Sequence, residues 1–200
     1  REENEKIYDS LFQNAEDYFE KIFDLIQNLH LHENSIILVT SDHGISVGEK
    51  IGERAYGAFC YDYTVKSFAY LHAKDLSNKE ISNQVRHIDF MPTILEYLEI
   101  ELDKSYEKLD GKSLLPLIKG EKIDEEIAYI ETANPLHSNE PPKSPNTKAV
   151  RTSKWKLIFN EYNNTKELYD LENDPDENTN LINTNLKIQE TLWDKFLEIQ

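Results

Sequence analysis

The sequence predicts an α/β chain, and three observations predict it. An amphipathic helical pattern covers residues 7–29, a β-branched apolar run follows at residues 35–40, and short strands after a proline-rich stretch lead to a final helical pattern. The first pattern is carried by Ile7, Leu11, Phe12, Ala15, Tyr18, Phe19, Ile22, Phe23, Leu25, Ile26 and Leu29, which recur at three- and four-residue steps. Such a stripe buries one helix face, and acidic residues occupy the other. Its aromatic members read as core. Ser35-Ile36-Ile37-Leu38-Val39-Thr40 lacks alternation and reads as a strand buried on both faces, the kind found in a parallel sheet.

Residues 41–62 hold four of the six glycines and little periodicity, which reads as a long functional loop. Val65 to Ala73 reads as a second strand, and Ile88 to Leu98 as a helix with Pro92 in its first turn. A short helix is expected around Leu114 to Ile118, and another short strand at Ile127 to Ile130. Pro135, Pro141, Pro142 and Pro145 make residues 134–147 irregular. Ala149 to Thr152, Trp155 to Asn160 and Glu167 to Leu171 then read as a strand meander. Trp155, Leu157, Phe159, Leu168 and Tyr169 are expected to pack on a helix over 185–199 through Leu186, Trp193 and Phe196, with Ile158 covering a second face.

Composition excludes several classes. The 200 residues carry 22 Lys plus Arg against 38 Asp plus Glu, a formal charge of −16. That balance argues against nucleic acid, which needs clustered cations. No apolar run approaches the roughly 20 residues of a membrane span. One cysteine, Cys60, allows no internal disulfide and reads as a loop or packing residue. The chain opens on Arg1 with a helical pattern already running by Ile7, which reads as a piece of a longer protein.

Asp42 and His43 directly follow the first apolar strand, with Gly44 next. Open α/β sheets place ligands at the carboxyl ends of their strands. A carboxylate oxygen and an imidazole nitrogen there suit one divalent cation, and Gly44 lets the backbone turn away. The plainer alternative is a turn with a hydrogen-bonded histidine. The remaining histidines have plain readings: His30 and His32 end the first helix, His72 ends a strand, and His87 precedes a helix that Asp89 could cap. His137 lies in the proline-rich loop, where it could touch substrate, and Glu49 could support the metal pair.

The string Ile37-Leu38-Val39-Thr40-Ser41-Asp42-His43-Gly44 with Gly48-Glu49 resembles the second metal-binding motif of the sulfatase family, in the alkaline phosphatase superfamily. Four further blocks resemble that family in the expected order. They are Tyr61-Asp62 before the strand, Val85-Arg86-His87-Ile88-Asp89-Phe90-Met91-Pro92-Thr93, Asp110-Gly111-Lys112-Ser113-Leu114-Leu115-Pro116-Leu117, and the segment from Ala149 through Glu167-Leu168-Tyr169-Asp170-Leu171 to Asp174-Pro175 and Asn180-Leu181.

The resemblance implies part of an alkaline-phosphatase-like sheet flanked by helices, followed by a small antiparallel sheet with a C-terminal helix. Residues 1–133 would be the C-terminal part of the α/β domain, and 134–200 the proline-rich loop and antiparallel subdomain. It implies a sulfuric ester hydrolase in which Asp42 and His43 are metal ligands. Calcium is favoured by family, with zinc or manganese possible on ligand preference. The implied nucleophile, a modified Cys or Ser, lies outside this chain, in an N-terminal half that would be its partner; the substrate would be a sulfate ester. The family's substrate-binding Lys or His falls at Tyr56-Gly57-Ala58, which holds no cation, so Arg54 or Lys50 is the candidate replacement. The alternatives are a phosphodiester or phosphonate hydrolase of the same superfamily, or a non-catalytic sulfatase-like binding protein.

Overall fold

A computed structural model of the chain describes residues 1–50, 59–103, 105–106, 108–134 and 144–200. The first helical pattern is realised as α1 (Glu2–Asn28), 27 residues long, with Glu2, Glu3 and Glu5 in the first turn where the helix dipole favours anions. Two residues past its end, His30 adopts a left-handed backbone (φ 55°) and its ring pairs with Glu33 at 2.9 Å. The apolar stripe is present but is not core in this chain. No residue of α1 is buried, and Leu11 and Tyr18 are 63% and 68% exposed. Periodicity reports that a face needs covering; it carries no information on which part of a protein covers it.

The apolar run forms β1 (Ile37–Thr40). The strand expected over Val65 to Ala73 is shorter, β2 (Ala69–His72), and Val65 instead closes one helical turn, α2 (Asp62–Val65). β1 and β2 pair antiparallel, Ile37 opposite His72 and Thr40 opposite Ala69. The expectation of a strand buried on both faces in a parallel sheet is therefore corrected: β1 is half-buried, and its neighbour in this chain runs the other way. An unalternated apolar run specifies two apolar faces and leaves the neighbour's direction open. His72 Nε2 lies 3.0 Å from the His32 carbonyl oxygen, joining the end of β2 to the turn after α1.

A 3-10 turn at His87–Asp89 leads into α3 (Phe90–Tyr97), with Pro92 in its first turn as expected. Asp89 does not cap that helix. It is buried, and its carboxylate turns back to accept the Arg86 amide (2.9 Å), the Arg86 guanidinium (2.7 Å) and the Lys112 amide (3.0 Å). Gly111 makes the last bond possible, because a Cβ there would lie 1.8 Å from the Ile88 carbonyl oxygen. Thr93 Oγ1 then accepts the Leu114 amide at 2.8 Å, one residue ahead of α4 (Leu115–Ile118).

The C-terminal half is a four-stranded antiparallel meander of β3 (Ala128–Thr132), β4 (Thr147–Arg151), β5 (Trp155–Asn160) and β6 (Thr165–Asp170). The registers place Val150 opposite Leu157 and Leu157 opposite Leu168. These three pack with Leu192 and Phe196 of α5 (Leu186–Ile199), edged by Trp155, Phe159 and Trp193. The opposite face joins Ala149, Ile158, Tyr169 and Leu171 to Cys60. Ile158 thus covers the second face as expected, whereas Tyr169, expected on the helix side, does too. Leu168 and Tyr169 are adjacent on one strand and must point apart. Leu186 is exposed, and Trp155 is half-buried at the margin.

Candidate metal-binding site

β1 delivers Asp42 and His43 to its carboxyl end. Gly44 fixes the exit: its amide donates to the Thr64 carbonyl oxygen at 2.9 Å, and a Cβ at this position would come 2.2 Å from the Tyr63 carbonyl oxygen. The chain therefore passes α2 backbone against backbone, which only glycine permits.

Asp42 Oδ1 accepts the His43 amide at 2.9 Å, and the Asp42 side chain is 87% exposed. His43 Nδ1 lies 2.5 Å from the Gly44 carbonyl oxygen. A carbonyl only accepts, so Nδ1 carries a proton, which leaves Nε2 as the ring nitrogen that could ligate a cation. Nε2 and Asp42 Oδ2 stand 3.6 Å apart. Two ligands at right angles on one cation, each about 2.0–2.6 Å from it, are separated by about 3–3.7 Å. The donor set and its spacing thus fit two adjacent ligands of a divalent metal. They do not make a full shell: among the described residues no three His, Cys, Asp or Glu side chains converge on one ion.

The loop beyond the pair is tied down. Glu49 Oε2 accepts the amides of Val47 (2.9 Å) and Gly48 (3.1 Å), closing a tight turn, and the Asn4 side chain of α1 reaches the Val47 carbonyl oxygen. Glu49 in this structure shapes the loop. Lys50, a candidate substrate-binding cation, donates from Nζ to the Glu177 carbonyl oxygen and lies 5.0 Å over the Tyr61 ring. Arg54, the other candidate, falls outside the described residues, as do Tyr56-Gly57-Ala58 and His137. His87 Nε2 pairs with Ser67 Oγ at 2.7 Å, joining β2's approach to the start of α3. Cys60 is fully buried beside Thr132 and Thr147, and burial pushes its thiol up to about 12. At that value it holds no thiolate at neutral pH, in keeping with a packing role.

Behind α2 lies a feature the sequence did not announce. Asp62, the first residue of α2, accepts the Arg151 guanidinium in a two-pronged bond (Nε to Oδ1 2.9 Å, a terminal nitrogen to Oδ2 2.6 Å) and the Lys156 ammonium. Lys156 also lies 2.8 Å from Glu177 Oε1, while Glu177 Oε2 accepts the Asp62 amide at 2.6 Å. Lys156 and Glu177 are buried completely. Burial pushes the Asp62 carboxyl up, but Arg151 and Lys156 outweigh it and hold it down at about 2. Burial raises the Glu177 carboxyl against the pull of Lys156. The one sequence signal was Lys156 inside the apolar run of β5, where a charge has no place without partners.

A family profile described as N-sulphoglucosamine sulphohydrolase, C-terminal, matches residues 60–200, and one described as Sulfatase matches residues 5–100. The uncharacterized sulfatase YidJ of Escherichia coli strain K12 is 28% identical over 151 residues, covering 75% of this chain and 28% of that protein. BT4656, solved with its substrate D-glucosamine-2-N,6-O-disulfate, superposes with a TM-score of 0.68 at 23% identity, over 90% of this chain and 37% of the other. The phosphonate monoester hydrolase of Agrobacterium radiobacter gives a TM-score of 0.70 at 19% identity, with the same two coverages, 90% and 37%. This chain therefore spans about a third of the length of the proteins it resembles. Matched motifs, profiles and fold agree, and the chain belongs to the sulfatase family of the alkaline phosphatase superfamily, of which it represents the C-terminal region.

Proposed function

We propose that the protein is a metal-dependent sulfuric ester hydrolase and that this chain supplies one wall of its divalent-metal site. The 3.6 Å placement of Asp42 Oδ2 beside His43 Nε2, at the end of β1, carries this reading. A cation held there would withdraw charge from the oxygens of a bound sulfate ester. Asp42 contributes a hard oxygen, and His43 an imidazole whose orientation is set by the Nδ1 bond to Gly44. Calcium, with manganese or zinc as substitutes, would need further ligands from the N-terminal half, because calcium takes about 6–8 oxygens. Lys50 and Arg54 are the cations nearest in sequence to the pair and stand as the candidates for holding the substrate's anionic group.

In the full-length protein, Asp42→Ala should abolish calcium- or manganese-dependent turnover of an aryl sulfate while leaving the circular dichroism spectrum unchanged, since the side chain is exposed and packs in no core. Retained turnover and metal content would overturn the assignment. The second reading, a phosphonate monoester hydrolase, is favoured by the fold match to the Agrobacterium enzyme. Faster metal-dependent turnover of an aryl phosphonate than of an aryl sulfate would select it.

The exposed stripe of α1 is, in this reading, the seat of the N-terminal half. Produced alone, the chain should self-associate, show no turnover and bind metal poorly. Phe12→Asp with Leu25→Asp should shift it toward monomer in size-exclusion chromatography with light scattering, both side chains being more than half exposed on that stripe. A chain that is monomeric without these changes would count against the stripe as a covered surface.

A further inference from the structure

We propose that the buried quartet Asp62, Arg151, Lys156 and Glu177 is a positioning device for the metal pair, through which the C-terminal sheet sets where Asp42 and His43 stand. This rests on the reading of Asp42-His43 as metal ligands and adds residues up to 135 positions away in sequence.

Two routes connect the quartet to the pair. The first runs through α2. Gly44, adjacent to His43, is bonded to Thr64 and abuts Tyr63, so the pair's exit follows α2's backbone. The orientation of α2 is in turn fixed at its first residue, where Asp62 is gripped by Arg151 and Lys156 through its carboxylate and by Glu177 through its amide. The second runs through the loop. Lys50 donates to the Glu177 carbonyl oxygen, so the segment that leaves the pair at Gly44 is pinned to the same platform at Lys50. Both ends of that segment thus refer to one buried cluster.

The chemistry of the cluster favours positioning over bulk stability. Two cations face two carboxylates, so the group is balanced, but removing such ions from water costs much of what their attraction returns. Apolar side chains of similar volume would fill the space equally well. They would not set the rotation of a four-residue helical turn, whereas a two-pronged Arg151–Asp62 contact admits one geometry. Groups hydrogen-bonded directly to metal ligands typically change metal affinity by about 10–100-fold when altered, and the quartet acts on the ligands through one further backbone contact.

The test uses the full-length protein, titrated calorimetrically with calcium and with manganese alone. Glu177→Gln keeps shape and removes the charge. Lys50→Met removes the loop tether and leaves the quartet intact, so it serves if the first variant folds poorly. Because the metal is titrated without substrate, the candidate role of Lys50 in holding the substrate's anionic group does not enter the measurement. Val150→Ala, in the core on the helix-facing side of the same sheet, is the stability control. Glu177→Gln and Lys50→Met should weaken metal binding by roughly 10–100-fold, whereas Val150→Ala should lower the melting temperature and leave affinity within about twofold of wild type. Affinities within about twofold of wild type for both Glu177→Gln and Lys50→Met overturn the proposal, as does an equal loss in Val150→Ala, which would make the effect one of stability. Asp42→Ala run beside them separates the two levels. If it abolishes binding while the quartet variants do not, positioning alone fails. If it leaves binding intact, the metal reading fails and takes this inference with it.

Discussion

Replacing Phe196 by alanine should lower stability by about 3–5 kcal/mol, the range for removing a buried aromatic side chain and leaving a cavity. Phe196 is 1% exposed and closes the helix-facing side of the meander against Val150, Leu157 and Leu168. It also stacks on Trp193 with ring centroids 4.9 Å apart and meets Phe159 edge-on at 5.9 Å, so its loss removes ring contacts as well as area. At about 2–4 °C per kcal/mol for a protein of this size, the melting temperature should fall by roughly 6–20 °C. Thermal unfolding followed by near-ultraviolet circular dichroism reads both the shift and the aromatic signal. A shift below about 2 °C would mean that α5 does not seal the sheet as described. Trp155→Ala, at the half-buried margin, should cost less.

Gly44→Ala is the second substitution with a large expected effect, and here the readout is function. The added methyl would sit 2.2 Å from the Tyr63 carbonyl oxygen and 3.0 Å from its carbon, both backbone atoms that cannot rotate away. Either the loop lifts from α2, breaking the 2.9 Å bond to Thr64, or α2 moves against its buried anchors. Lifting is easier, and it carries His43 with it. Metal affinity of the full-length protein should therefore fall as far as in Asp42→Ala, with the C-terminal sheet intact by its aromatic circular dichroism. Native affinity in Gly44→Ala would show that the close approach to α2 does not hold the pair.

Local rules made much of this legible. β-branched and aromatic residues between turn residues marked β4, β5 and β6, and the helical period marked α1 and α5. Asp42 and His43 stood out because a ligand-capable pair followed an apolar strand. The misreadings have a common physical origin. The stripe of α1 and the run of β1 each specify an apolar face, while the partner of that face is set by the rest of the fold. Tyr169 is expected on the helix side together with Leu168, its neighbour on β6, yet adjacent strand residues point to opposite faces; both faces of β6 are buried, so apolar character alone does not assign either residue to a face. Asp89 stood at the right position for a cap, but Arg86 and the Lys112 amide compete for its carboxylate and win. The quartet was hidden for a different reason. Its charges stand at positions 62, 151, 156 and 177, with no periodicity to connect them, and only tertiary structure brings them together.

That separation has a consequence for how the protein is made. Lys156 and Glu177 meet Asp62 across 94 and 115 residues of chain. Contacts this distant in sequence form late, because the intervening loop must be closed before they return any free energy. During synthesis, β1 and the residues that would grip a metal emerge well before the strand bearing Lys156 and the turn bearing Glu177. Until those last segments leave the ribosome, the pair has its chemistry and lacks its address. A nascent chain stalled before residue 156 would thus display Asp42 and His43 without the distant contacts that, in the proposed reading, hold them in place. On that reading, metal loading would follow closure of the β3–β6 sheet.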